Sequence, residues 1–217
     1  MWRRLATLGV MPLTIAWRER RISLRFPCGS SLTFPKNKMD KKNRAGSPAE
    51  ASFAKFCRSA ERLGAKEAKV ISTKNVFTAA WVRKKCQFGC DGYGCCLTCP
   101  PFSPPPEETR KVLNDYHTAI LVHCGDGQPE DVKDIVVQLE REIFLSGYYK
   151  ALGFGAGPCN LCSACSLKRC RYPDKARPSM EAAGIDVFKT ARKAGFPIEV
   201  VNSFKRKPNY YGLVLVE

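Results

Sequence analysis

Nine of the twelve cysteines in this 217-residue chain fall in two short groups. The later group, PCNLCSACSLKRC at 158–170, sets Cys159, Cys162, Cys165 and Cys170 at spacings C-x2-C-x2-C-x4-C. A structural zinc ion usually takes two C-x2-C knuckles a dozen or more residues apart, so that the pairs approach from opposite sides. Three successive cysteines at x2 spacing instead wrap one side of a larger object. Iron–sulfur cubanes are held in this way, with three corners from one loop and a further cysteine for the fourth. Cys170 either closes that site or serves another centre. A [4Fe–4S] cluster is the leading assignment, with zinc and metal-free thiols as the competing ones.

The earlier group is KKCQFGCDGYGCCLTCPPFSPPP, in which Cys86, Cys90 and Cys99 frame Cys95 and Cys96. No cysteine stands three residues after Cys90, so this is not the C-x3-C-x2-C pattern of radical-SAM enzymes. Pro100 and Pro101 stiffen the backbone after Cys99 and remove two N–H donors. Three thiolates would leave one iron of a cluster open to a small molecule. Cys95, Cys96 or Cys170 would complete a closed set, and a structural zinc site is the plainer alternative. Crowded thiols in a chain of this length differ from the evenly spread cysteines of secreted disulfide scaffolds. They predict a reduced, cytoplasmic protein of a low-oxygen setting.

The formal net charge is +16, from 36 Lys and Arg against 20 Asp and Glu. Such a balance suits an acidic partner or nucleic acid. Residues 1–38 hold eight of those cations against one Glu, and a cubane with four thiolates adds a charge of about −2. The remaining domain is therefore only moderately basic, and nucleic acid is a weak expectation. No stretch approaches the roughly 18 unbroken apolar residues of a membrane span. The leader MWRRLATLGVMPLTIAW has a basic start and an apolar run broken by Pro12, with no small-x-small cleavage pattern after it. Residues 1–47 are expected to be a basic leader and linker, disordered or belonging to an over-long start, with Met39 a candidate true start. Residues 48–217 are expected to form one domain.

Within that domain, Phe53, Phe56, Ala60 and Leu63 recur at helical spacing and Gly64 supplies a stop. AKEAKVIS predicts a strand, and VFTAAWVRKKC a short strand or helical turn into the first cysteine group. SPPPEETRKVLNDY predicts a helix with Glu107 and Glu108 in its first turn. TAILVHCG is an unbroken apolar run and predicts a buried strand. Val132, Ile135, Val136, Leu139 and Ile143 mark the strongest amphipathic helix. YYKALGFGAG predicts a strand, GIDVFKTARKAG a helix closed by Gly195, and IEVVNS and NYYGLVLVE a hairpin tipped by Lys205, Arg206 and Lys207. The expected class is α/β or α+β, with a mixed sheet of about five strands flanked by three or four helices. Both cysteine groups then lie in loops at element ends, where function usually sits on a rigid scaffold. Gly-rich phosphate loops, a G-x-S-x-G elbow and H-E-x-x-H are all missing from the chain.

C-x3-C-x2-Y-G-x4-C-P-P, together with G-P-C-x2-C-x2-C-x4-C-R-x-P-x-x-A-R-P-S-M-E-A-x-G-I-D-V, resembles the signatures of domain-of-unknown-function family 2284. That family is described as cysteine-rich, predicted metal-binding proteins of bacteria and archaea, frequent in anaerobes. The similarity runs from about Lys66 to Glu217. It implies that Cys86, Cys90, Cys99, Cys159, Cys162, Cys165 and Cys170 are metal ligands. Cys95 and Cys96 depart from the family pattern and remain further candidates. The resemblance implies metal binding and no reaction.

Other residues weigh less. His117 and His123 flank the TAILVHCG strand, where His123 and its neighbour Cys124 must point to opposite faces and cannot easily cooperate. Cys28 and Cys57 read as bystanders. Arg177, Ser179, Met180 and Glu181 follow the cluster loop, either as a turn and helix cap or as outer residues that tune a cluster, Arg177 foremost. Tyr210 and Tyr211 would suit stacking on nucleic acid only weakly. No acid, base or nucleophile stands out, so enzyme status stays open. Two readings result. One is an iron–sulfur protein with one or two [4Fe–4S] clusters, passing electrons to a redox protein or enzyme partner. The other is a zinc-binding interaction module contacting nucleic acid or an acidic protein. On either, Cys162→Ser releases metal and destabilises the loop from Gly157 to Pro173, whereas Cys95→Ser has little effect. Metal analysis of the two variants checks this, and unchanged content in Cys162→Ser would overturn the ligand assignment.

Overall fold

Residues 119–124 are all buried, because the sheet that contains them is covered on both faces. The computed structural model describes residues 48–125, 129–203 and 207–217. Residues 44–217 form one compact unit. The expectations for residues 1–47, for Cys28 and for Lys205 and Arg206 lie outside the described residues. The described elements are α1 (Pro48–Arg62), β1 (Glu67–Ser72), a 3-10 turn (Thr73–Asn75), α2 (Ala80–Gly89), α3 (Pro106–Asn114), β2 (Thr118–His123), α4 (Pro129–Leu145), β3 (Leu152–Phe154), α5 (Val187–Lys193) and β4 (Tyr211–Leu215). None of the described helices is long and apolar enough to cross a membrane.

The class is mixed α and β, as the sequence predicts, but the sheet differs in two respects. It has four strands, in the order β1-β2-β4-β3, and every neighbouring pair is antiparallel. IEVVNS is not a strand. Both edges of β4 are already taken, by β2 and by β3, so a hairpin partner has no edge left to join. Ile198 is buried against the core while Val200 and Val201 stay exposed, and this segment becomes the wall of a cleft instead. VFTAAWVRKKC resolves into an extended segment, bridged from Thr78 to Ile185, followed by α2, with Val82 the buried residue of that helix.

Alternation along the inner strands builds two cores. Ile120, Val122 and Val214 face α1 and α4, where Phe53, Phe56, Val132, Val136 and Leu139 meet them. Ala119, Leu121, Leu213 and Leu215 face the other way, onto Leu113 of α3, Ala191 of α5 and the segment holding Met180 and Ile185. Burial on both faces explains why β2 and β4 read as continuous apolar runs, although strands of this type commonly alternate.

Helix α4 sits unusually low on the sheet. A Cβ on Gly212 would lie 2.5 Å from Val136 Cγ2 and 2.8 Å from Val132 Cγ1. One on Gly153 would lie 2.6 Å from both Val136 Cγ1 and Glu140 Oε2, and one on Gly155 would lie 2.8 Å from Lys133 Cγ. Three glycines thus floor a trough into which one row of α4 descends.

The chain leaves β1 at Ser72 and re-enters the sheet at its register partner Thr118, so residues 73–117 form a long hairpin-type connection based at one end. The connection from β3 to its antiparallel neighbour β4 re-enters at Tyr211, opposite His123 at the other end. Each carries one cysteine group. The segment 178–186 sews them together: Gly155 N–H donates to Pro178 O (2.9 Å), Ala79 N–H to Gly184 O (2.9 Å) and Asp186 N–H to Phe77 O (2.7 Å). The Ser103 hydroxyl donates to Ala182 O at 2.7 Å. Arg83 reaches from α2 to the carbonyls of Ser103, Pro104 and Ala182.

Filling the trough should be costly. Gly212→Ala is expected to lower stability by about 1–3 kcal/mol through overpacking, read as a lower thermal midpoint. Val136→Ala in the same chain should return part of the loss, because it removes the clashing methyls. An unchanged midpoint in Gly212→Ala would contradict the close approach.

Candidate metal centre

Cys86 lies in the last turn of α2 and Cys90 is the residue that caps its C-terminus. The chain then runs through tight turns, with Tyr93 N–H to Cys90 O at 3.2 Å, Gly94 N–H to Pro100 O at 2.7 Å and Cys99 N–H to Cys96 O at 3.0 Å. This folding returns Cys99 to Cys90. A Cβ on Gly92 would sit 3.4 Å from Cys99 Sγ, 3.5 Å from Cys90 Sγ and 3.0 Å from Pro158 Cβ. Gly92 therefore marks the point where two thiols of the first group meet the entry to the second.

Burial, and then the proximity of Cys90 and Glu181, raises the pKa of Cys86. Cys99 is buried, and that burial raises its pKa too. The Cys159 backbone N–H and the Thr98 hydroxyl act on it in the opposite sense, and Cys90 and Cys86 add to the rise. Burial and mutual proximity both disfavour ionisation of these thiols, and a bound metal ion would reverse the sign of the local field and stabilise the thiolates. Uptake must then release protons and weaken as pH falls. The buried Thr98 hydroxyl lacks a full hydrogen bond, though it is near enough to Cys99 to lower that thiol's pKa. A thiolate at Cys99 would give it an acceptor.

In the second group, Cys159, Cys162, Cys165 and Cys170 all line one small cavity of about 20 Å³, which Thr98 of the first loop also lines. The four are half-buried, and none of the described cysteines is in a disulfide. Arg169 and Arg171 lie on the same cavity wall, suited to offset thiolate charge. Among the described residues, no three His, Cys, Asp or Glu side chains converge closely enough to hold an ion as they stand. A metal bound there would have to draw the thiols inward.

The two groups touch. Cys96 donates its thiol to Cys159 O at 3.5 Å, and burial followed by Cys99, Cys165 and Cys159 pushes its pKa up to about 11. Cys95 is exposed and donates only to Tyr93 O within its own turn, at 3.5 Å. The geometry thus separates two neighbours that the sequence could not: Cys96 lies between the groups and Cys95 points away from them.

Helix α4 grips the second loop at both ends. Lys133 Nζ donates to Pro158 O (2.6 Å) and to Asn160 Oδ1 (3.1 Å) at its entry. At its exit, Arg177 pairs with both oxygens of Glu140, at 2.7 and 2.8 Å, and donates to Pro173 O and Ala176 O. Arg177 is therefore engaged with a carboxylate and the loop backbone. The hydrogen bond to Glu140 raises its pKa further. Ser179 caps a turn, accepting from Ala182 N–H at 3.0 Å, and α5 is capped separately by Asp186.

The remaining candidates lie elsewhere. His123 is buried, bonded to Asn209 (2.8 Å) and stacked on Tyr211 (4.8 Å), while His117 is exposed at the far end of β2. Cys57 packs against the α1 side of the core and Cys124 is part of it. Sequence reading missed Lys133, Glu140, Thr98 and Arg83, since nothing in a helical lysine or glutamate tells which loop it will hold. It also missed a cleft of about 480 Å³ beside the first group, lined by Cys86, Cys90, Cys99 and Glu181. Glu181 opens into this cleft, whose walls crowd its carboxyl and raise its pKa.

Residues 69–216 match a family model described as predicted metal-binding protein (DUF2284). No curated protein matches the chain, and neither does any solved structure.

The α4 grip predicts a separable effect. The side chains of Arg177 and Glu140 are only 19% and 12% exposed, so Glu140→Gln leaves a largely buried guanidinium without its counter-charge. Stability should fall on the order of 3 kcal/mol, and amide exchange should quicken over residues 157–177 more than in β2. Uniform exchange across both regions would show that α4 does not hold the loop.

Proposed function

Because the chain belongs to the DUF2284 family of predicted metal-binding proteins, we propose that its metal is iron, held as one or two [4Fe–4S] clusters in a protein of cytoplasmic redox metabolism. The observation that carries this reading is the arrangement of Cys159, Cys162, Cys165 and Cys170 around one cavity, with three of them at the x2 spacing of cubane loops. When bound, such a cluster supplies reversible one-electron transfer. The protein's own residues do the rest. Cys159, Cys162, Cys165 and Cys170 hold one centre, and Cys86, Cys90 and Cys99 hold a second with one position open. Arg169 and Arg171 offset the negative charge. The Cys159 N–H and the Thr98 hydroxyl both act to lower the pKa of Cys99, and hydrogen bonds from them to a Cys99 thiolate would tune the potential.

The contact between Cys96 and Cys159 supports two centres side by side rather than two unrelated sites. Phe88, Phe102, Leu167 and Tyr172 stand exposed next to the two cysteine groups in the chain. With Lys168, Arg169 and Arg171 exposed as well, the surface suits brief docking of an acidic redox partner.

Anaerobic purification followed by iron, sulfide and zinc analysis tests the reading. A brown protein bleached by dithionite, with about four or about eight irons per chain and matching sulfide, is expected. Eight falling to four in Cys99→Ser would assign the second centre. A colourless zinc protein without sulfide would overturn the proposal in favour of a zinc-held interaction module.

A further inference from the structure

The cleft beside the first cysteine group has the size of a small organic molecule, not of an ion: about 480 Å³, within the range of ligand pockets. Its lining is mainly apolar and includes five aromatic residues, Trp81, Tyr93, Phe188, Tyr210 and Tyr211. It also carries the carboxyl groups of Glu181, Asp186 and Glu199 against a single lysine, Lys85. That sign is opposite to the chain's net charge of +16. Lys85 lies toward Trp81, with Nζ 5.5 Å from the ring centroid, and Asp186 Oδ1 already accepts from Lys189 N–H at 2.9 Å. Among the described residues, no Lys or Arg forms an ion pair with Glu181. Glu181 is exposed at the cleft, and only its own N–H and the Ser179 side chain offset the crowding of its carboxylate, so it is open to an incoming cation. Aromatic faces and carboxylates attract the same kind of ligand, a cation with an apolar body.

We propose that the cleft binds a small organic cation, an amine or protonated nitrogen heterocycle, with its apolar part against the aromatic walls and its nitrogen at Glu181. The bound molecule would lie beside Cys86, Cys90 and Cys99. Only its placement next to an open metal position rests on the functional reading above; thiolates there would add further negative charge. Recognition itself needs only the cleft.

Titration calorimetry on the full chain, purified without oxygen, can use two probes of one shape and opposite charge, tryptamine and indole-3-propionate. Metal and sulfide are measured on the same sample. Tryptamine is expected to bind at least tenfold more tightly than indole-3-propionate. Glu181→Gln should remove most of that preference, and Trp81→Ala, at a half-exposed position, should weaken both probes. Equal or stronger binding of the anion, binding of neither, or an unchanged preference in Glu181→Gln overturns the proposal. A sample that holds metal but ignores tryptamine sinks this inference alone. One that binds tryptamine but holds no metal sinks the metal reading alone.

Discussion

Helix α4 lies in its trough only because Gly153, Gly155 and Gly212 present no side chains beneath it, and much of the site depends on that depth. The same helix row that rests on the glycines contains Lys133 and Glu140. These two side chains hold the entry and exit of the second cysteine loop. Between those holds, residues 159–170 have no helix or strand of their own. Their shape comes from the two clamps and from the contact with the Cys86–Cys99 loop. A helix standing higher would lose both side-chain clamps and leave the exit held by the backbone bonds between Gly155 and residues 178–180.

The second constraint is electrostatic. Cys86, Cys96 and Cys99 each lie in surroundings that favour their protonated forms. Holding several sulfurs close is tolerable for neutral thiols and favourable for thiolates around a cation; it is unfavourable for thiolates alone. The scaffold supplies the crowding through backbone stitches around residues 178–186, and α2 is tied in by Arg83. The site is thus braced from the sheet outward, in the manner expected of loops that carry chemistry on a rigid frame.

Much of this was legible in the residues. Helices α1 and α4 announce themselves by apolar spacing, β2 by an unbroken apolar run, and both cysteine groups by their spacings. What failed was the pairing of IEVVNS with the last strand. Its β-branched residues carry a real local preference, but strand pairing is decided by free edges, and β4 has none. The choice between Cys95 and Cys96 was equally hidden. They are adjacent and identical in type, and only the arrival of Cys159 from the other connection distinguishes them. The cleft was invisible for the same reason: Trp81, Glu181 and Tyr210 come from segments far apart in the chain.

Strand β4 is the last of the four strands in chain order, yet it occupies an inner position, between β2 and β3. During synthesis, β1 and β2 can pair early, while β3 has no neighbour until β4 arrives to bridge the gap. Cys96 and Cys159 lie 63 positions apart, on the two connections that this sheet anchors. Contacts of such long range form slowly, after the cost of closing the intervening chain has been met. The pairing of the two cysteine groups therefore draws on the stability of the whole sheet rather than on any local element.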